Sequence, residues 1–268
     1  MNDPWHVGDR RPRLAVHKFS SCDGCQLALL NAGEDLLALA GAVELVHFVE
    51  AGISDEEAEA DLALVEGSIS TPEEAERIRR VRQRSRLLVA MGACATAGGL
   101  QALRNLAQAA GWMAAVYPRP EFIRILDAAR PLSAHVKVDW ELRGCPVNTR
   151  QVMTLVRALR LGIAPVAEDD KQCLDCKRAG IACVTVARGE PCMGPVTARG
   201  CGALCPAAAR GCYACYGPAE GANTGALGRA LEHLGLERAA VARRFLHINS
   251  AAPPFAAAGR EWSGKKEP

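Results

Sequence analysis

The sequence predicts a doubly wound α/β domain built on a parallel sheet, followed by a small cysteine-rich module. Three observations carry this prediction. Short apolar runs alternate with helically spaced segments across roughly the first 160 residues, the pattern of a parallel sheet covered on both faces. Eight of the 12 cysteines lie between Cys173 and Cys215, a density that no apolar core explains. The other four, Cys22, Cys25, Cys94 and Cys145, are scattered through the α/β part, each just after a predicted strand. The expected division is an α/β domain over residues 1–165, a cysteine module over 166–218 and a helical segment with a tail over 219–268.

Residues 14–19 read as the first strand, ended by the Cys22–Cys25 loop. Leu27, Leu29, Leu30, Leu36 and Leu37 then give residues 26–40 helical spacing. Residues 43–49 and 62–65 are the next strands, the latter running into Glu66, Gly67 and Ser68. A helix start follows by several rules at once: Thr71 as cap, Pro72 at the first position and Glu74 three residues after the cap. Its Arg79, Arg80, Arg82 and Arg84 read as a solvated face, with i,i+4 pairs expected for Glu73 with Arg77 and Glu76 with Arg80. Residues 87–91 form the most continuous apolar strand. It breaks at the glycine-rich loop around Gly92, Cys94, Gly98 and Gly99, before a helix expected over 100–110. That loop fits neither dinucleotide nor P-loop spacing, so nucleotide binding is not expected there. A further strand over 134–138, the loop Gly144-Cys145-Pro146 and a helix over 149–161 complete the domain. Beyond Pro218 come helices near 225–236 and 236–245, then Pro253-Pro254 and a frayed polar end over 264–268.

Lys and Arg total 32 against 30 Asp and Glu, a net charge of +2, which gives no footprint for nucleic acid or an anionic membrane. No run approaches the length of a membrane helix. Arg10-Arg11 is not followed by the apolar stretch of an export signal, so the expected compartment is the cytoplasm. Many cysteines in a reducing compartment point to metal rather than disulfides.

Loops at the carboxyl ends of parallel strands converge on one crevice. Cys22, Cys25, Cys94 and Cys145 can therefore reach a single centre, with Gly24, Gly92 and Gly144 allowing backbone amides close to sulfur. Tetrahedral zinc accepts the same four thiolates and stays open as a rival, in which case the chain would be a zinc-stabilised scaffold. In the module the spacings suggest two quartets, Cys173, Cys176, Cys183 and Cys192, then Cys201, Cys205, Cys212 and Cys215, although chain-adjacent cysteines can ligate different clusters. With no visible substrate pocket, this describes an electron conduit. His6, His17, His47, His135, His233 and His247 fit no ligand motif, and no catalytic residue is named. Glu66, at a strand end, is a candidate for tuning the first centre or handling a proton.

Cys22-x-x-Cys25, Gly92-Ala93-Cys94 and Gly144-Cys145-Pro146 resemble the proximal-cluster ligands of the small subunits of [NiFe] hydrogenases. The stretch from Pro191 to Pro206, with Gly211 to Gly217, resembles the pyridine-nucleotide-linked branch, whose small subunit is often called the sulfhydrogenase delta subunit. The resemblance implies a flavodoxin-like domain and three [4Fe–4S] clusters. Cys22, Cys25, Cys94 and Cys145 would hold the proximal one, Cys201, Cys205, Cys212 and Cys215 the medial one, and Cys173, Cys176, Cys183 and Cys192 the distal one. It also implies partners: a large subunit carrying the Ni–Fe centre, and diaphorase-type subunits carrying flavin (FAD), the NAD(P) site and further iron–sulfur clusters. Coenzyme-F420-linked hydrogenase small subunits share this plan and stay open as an alternative. The related proteins of respiratory complex I share the proximal site but have adjacent cysteines where this chain has two intervening residues, and they lack the eight-cysteine module.

Overall fold

The computed structural model describes residue 5 and residues 10–107, 109–166 and 170–264. His6 and the end of the polar tail, 265–268, lie outside the described residues. The chain divides into two compact units, Met1–Val166 and Ala167–Pro268.

The first unit is a five-stranded sheet: β1 (Arg13–Lys18), β2 (Glu44–Phe48), β3 (Ala60–Glu66), β4 (Ser85–Met91) and β5 (Trp140–Leu142). The order is β2-β1-β3-β4-β5 and every pairing is parallel. This is the flavodoxin-like order, whose switch point lies between β1 and β3. All seven residues of β3 are buried, as a central strand covered on both faces requires. Successive side chains alternate between two cores. Leu14, Val16, Leu62, Leu64, Leu87 and Val89 face one core with α1 (Gly24–Leu30), α2 (Glu34–Ala42) and α6 (Thr149–Arg160). Ala63, Val65, Leu88 and Ala90 face the other, with Ile78 and Val81 of α3 (Pro72–Arg84).

At α3 the Thr71 hydroxyl accepts from Glu74 N while the Glu74 carboxylate accepts from Thr71 N, so the expected capping box forms. The expected i,i+4 pairs do not. Arg77 turns to Glu56 and stacks over Phe19, and Glu73 pairs with Arg124.

Three segments depart from expectation. The helix expected over 26–40 is broken into α1 and α2 at Gly33, whose φ of 60° is left-handed. The helix expected over 100–110 is instead a 3₁₀ stretch, Leu100–Leu106, followed by α5 (Ala109–Val116). Asn105 exchanges hydrogen bonds with the Ala129 backbone at 2.7 and 2.9 Å, and Arg104 reaches the carbonyls of Ser70 and Leu126, so tertiary ties override helical spacing. The strand expected over 134–138 is not one. Leu132–Ala134 is a 3₁₀ turn, and pairing with β4 begins only after Asp139, which exchanges hydrogen bonds with the Leu88 backbone in both directions at 2.9 Å and binds Arg82. The strand is therefore β5, with Trp140 opposite Val89 and Leu142 opposite Met91.

In the second unit the cysteine segment carries only short helices, α7 (Gln172–Arg178), α8 (Val184–Arg188) and α9 (Leu204–Ala207). Three longer ones follow: α10 (Thr224–His233), α11 (Arg238–Phe245) and α12 (Pro253–Ser263). Sequence reading missed α12, although Pro253 and Pro254 sit in its first turn, where the ring is tolerated. Leu231, Val241, Phe245, Phe255 and Trp262 are buried here, with Trp262 lying so tightly on Gly228 that no larger residue fits. Among the described residues, no helix is long and apolar enough to cross a membrane.

Candidate metal centres

The parallel strands deliver their ends to one side of the sheet, and the scattered cysteines ride on those ends. Cys22 and Cys25 follow β1, with Cys25 in the first turn of α1. Cys94 lies in α4 (Gly92–Ala97), directly after β4, and Cys145 follows β5. Electrostatic repulsion links all four: Cys25 with Cys94 and Cys145, Cys94 with Cys145 and Cys22, and Cys145 with Cys22. The structure thus brings together the four residues that the sequence singled out.

Glu66, at the end of β3, is 2 % exposed and sits among them. Its two carboxylate oxygens accept from Cys25 N and Gln26 N, each at 3.1 Å. That replaces the cap α1 otherwise lacks, because Asp23 is left-handed (φ 63°) and turns its carboxylate to Lys18 at 2.6 Å. Glu66 therefore positions the loop that carries Cys25.

Burial, before any other cause, pushes these thiols up: Cys94 to about 12, with Cys25 and Cys145 also raised. Neighbouring thiolates and Glu66 add to the rise. Four mutually repelling acidic groups around a carboxylate suit a cationic occupant that takes the place of their protons. Val147 N donates to Cys25 Sγ at 3.4 Å and Gln101 hydrogen-bonds Cys94. Glycines line the sulfurs. A methyl group at Gly92 (φ 86°) would overlap Cys25 Sγ, one at Gly99 (φ 61°) would stand 2.5 Å from Cys94 Sγ, and one at Gly24 would stand 3.3 Å from Cys22 Sγ. Gly92 and Gly24 were legible as close-approach glycines. Gly99 and Gln101 were missed, because a Gly-Gly pair reads equally well as a turn.

In the second unit Cys173 and Cys176 share α7, Cys183 precedes α8 and Cys192 lies in the next loop. Cys173 interacts with Cys183 and Cys192, and Cys176 with all three. Cys205 interacts with Cys201, and Cys212 with Cys215. Cys192 also reaches Cys205 and Cys212, so the two groups adjoin there. Burial again raises Cys173, Cys176 and Cys205, and takes Cys212 to about 12. Backbone amides meet sulfur as in the first group: Gly194 N and Cys212 N donate to Cys192 Sγ at 3.4 and 3.2 Å, and Ala214 N donates to Cys212 Sγ at 3.4 Å.

The segment after Pro218, which the sequence left without a role, braces these loops. Asn249 Nδ2 donates to Ala214 O at 2.7 Å, and Arg244 donates to Pro191 O at 3.2 Å.

The amide donors and lining glycines around these thiols suit the sulfurs of an iron–sulfur cluster.

Residues 22–159 match the family described as NADH ubiquinone oxidoreductase, 20 Kd subunit, and the chain belongs to that family. That match begins at Cys22 and ends within α6, short of the eight cysteines of the second unit. Within the family the chain groups with the small, or delta, subunits of [NiFe] hydrogenases. It is 34% identical over 222 residues to sulfhydrogenase 2 subunit delta of Pyrococcus furiosus, covering 83% of this chain and 93% of that one. It is 28% identical over 161 residues to subunit delta of the NAD-reducing hydrogenase HoxS of Cupriavidus necator, covering 54% of this chain and 77% of that one. A crystal structure of an NAD+-reducing [NiFe]-hydrogenase in the H2-reduced state contains a chain that superposes with a TM-score of 0.54 at 31% identity, covering 59% of this chain and 96% of that one. Membership of this group implies iron–sulfur clusters.

Proposed function

We propose that the chain is the electron relay of a cytoplasmic [NiFe] hydrogenase. In this reading it holds three [4Fe–4S] clusters: a proximal one on Cys22, Cys25, Cys94 and Cys145, a medial one on Cys201, Cys205, Cys212 and Cys215, and a distal one on Cys173, Cys176, Cys183 and Cys192. It connects the H2-activating Ni–Fe centre of a large subunit with flavin- and NAD(P)-binding, diaphorase-type subunits.

The gathering of four thiols, from buried Cys25 to exposed Cys22, around Glu66 at the carboxyl ends of β1, β4 and β5 carries this reading. A bound cluster supplies a one-electron store whose potential follows its hydrogen bonds and exposure. The chain's own part is to provide thiolates, to keep Cα–H-only surfaces at Gly92 and Gly99 against the sulfurs, and to present the amides of Val147, Gly194 and Ala214 to them. The name of the HoxS relative, an NAD-reducing hydrogenase, and the NAD+-reducing hydrogenase that the chain superposes on support a pyridine nucleotide as the terminal acceptor.

The test is anaerobic purification of the tagged chain from its host, with iron, acid-labile sulfide, zinc and nickel measured and H2-dependent reduction of NAD+, NADP+ and viologen assayed. About 12 iron atoms per chain, a nickel-bearing companion and reduction of a pyridine nucleotide are expected. Zinc in place of iron, or iron without a nickel companion, overturns the reading. Cys94→Ala should lose about four iron atoms and all turnover while leaving the iron of the second unit in place.

A further inference from the structure

Where backbone amides meet sulfur in the two units they come as donors, each lending its sulfur the positive end of an N–H bond. At Cys201 the polarity is reversed. Its Sγ donates at 3.4 Å to Oε1 of Gln172, the carbonyl end of a side-chain amide. Gln172 opens α7, beside Cys173, and is only 1% exposed. Cys201 packs against Ala198, Tyr216 and Ala219, all buried, so little water screens the contact. The two ends of a glutamine amide have nearly the same shape, and their neighbours decide which way it turns. Gln172 Nε2 donates to Asp175 Oδ2 at 3.4 Å. Asp175, in its ion pair with Arg199 Nε at 3.2 Å, offers only acceptors, and its Oδ2 also takes Gly200 N at 3.4 Å. A turned amide would set its carbonyl against that carboxylate. The main chain is held as well, since Gln172 N donates to Thr197 O at 2.9 Å.

A thiol satisfies this carbonyl with its own proton. A cluster-bound thiolate has none to give, and the negative end of the amide dipole then lies against the ligand sulfur. Negative potential beside a cluster disfavours its reduced state, the opposite of what an N–H donor does. We propose that Gln172 lowers the reduction potential of the cluster that Cys201 helps to hold, with Asp175 and Arg199 keeping its carbonyl turned to the sulfur. The proposal rests on reading Cys201 as a cluster ligand, and it gives the amide a sign that offsets the N–H donor at Cys212 of the same quartet. The step concerned is a single electron transfer. A neighbouring reduced centre of the relay is oxidised, the cluster is reduced by that electron, and no bond forms or breaks.

The experiment is a redox titration of the anaerobically purified holoenzyme, followed by EPR, with iron counted on the same samples. Wild type is compared with Gln172→Leu, which removes the carbonyl, and with Gln172→Met, which removes it while keeping the length of the side chain. In both variants one cluster signal should move to a higher potential and the others should stay in place. At the wild-type midpoint the reduced form of that cluster should outnumber the oxidised form about tenfold, a shift of about 59 mV for one electron. A role confined to packing would leave the midpoints where they are. Unchanged midpoints, or a fall, overturn the proposal, a fall because it would mean that the NH2 end faces the sulfur. Loss of the second unit's iron in both variants overturns it too, since Gln172 would then serve assembly rather than potential. A wild-type second unit without iron instead overturns the cluster reading beneath the proposal, so the two failures are distinct.

Discussion

At Gly92 the chain has room for a hydrogen and nothing more. Its φ of 86° disfavours any side chain, and a Cβ there would overlap Cys25 Sγ. Gly92→Ala should therefore displace Cys25 as well as strain the backbone, at a cost of roughly 1–3 kcal/mol. The expected result is a protein that folds but is about four iron atoms short, with H2-dependent viologen reduction lost. Gly111→Ala serves as control: it lies within α5 with nothing within 4 Å of the added methyl, and should be neutral or stabilising by about 0.5–1 kcal/mol. Full iron content in Gly92→Ala would show that the loop has slack the geometry denies it. Glu66 makes the same point from the polar side. Its position at a strand end was visible in the sequence, but its work was not, because a carboxylate capping a helix 40 residues earlier in the chain leaves no local signal.

Elements were legible where they obeyed one local rule and obscure where a distant side chain intervened. β1, β3, β4, α3 and α6 follow from apolar runs, the Thr71 capping box and helical spacing, and each lies where the sequence put it to within a residue or two. The strand expected over 134–138 failed because Val136 and Val138 are apolar for another reason: they pack half-buried on the core beside α3, while Asp139 sets where pairing starts. The four scattered cysteines were legible through topology, since parallel strands must bring their ends together. The bracing role of the last helices was not, because it runs through one side chain. Asn249 is 4% exposed, and its amide meets Ala214 O inside the Cys212–Cys215 loop. Removing it leaves the Ala214 carbonyl with the bond from Gly217 N at 3.0 Å and forfeits the second, so Asn249→Ala should cost about 0.5–1.5 kcal/mol. The loss should appear as faster release of iron to a chelator, confined to the second unit's share. An unchanged release rate would mean the loop holds its shape unaided.

At the scale of the molecule, a net charge of +2 gives no strong field, so pH acts through particular buried groups rather than through overall repulsion. The clearest is the His17–His47 pair, stacked on β1 and β2 with ring centroids 4.5 Å apart. Burial, then His47, then Arg77 lower His17 to about 3 from its usual 6.5, and burial first also lowers His47. The folded chain keeps His17 neutral while the unfolded chain takes up a proton below about pH 6.5. The stabilisation is therefore fully present above 6.5 and is lost as pH falls toward 3, at about 1.4 kcal/mol per pH unit for each proton withheld. Hydrogen exchange of the β1 and β3 amides in the full chain, followed from pH 7.5 down to 5 and corrected for intrinsic rates, should show opening free energies that decline below 6.5. His17→Leu should flatten that decline whatever it does to stability at neutral pH, because the titrating ring is gone while the stacked space stays filled. Parallel pH curves for the two proteins would mean that the pair is protonated within the fold, and that the acid sensitivity of the sheet lies elsewhere.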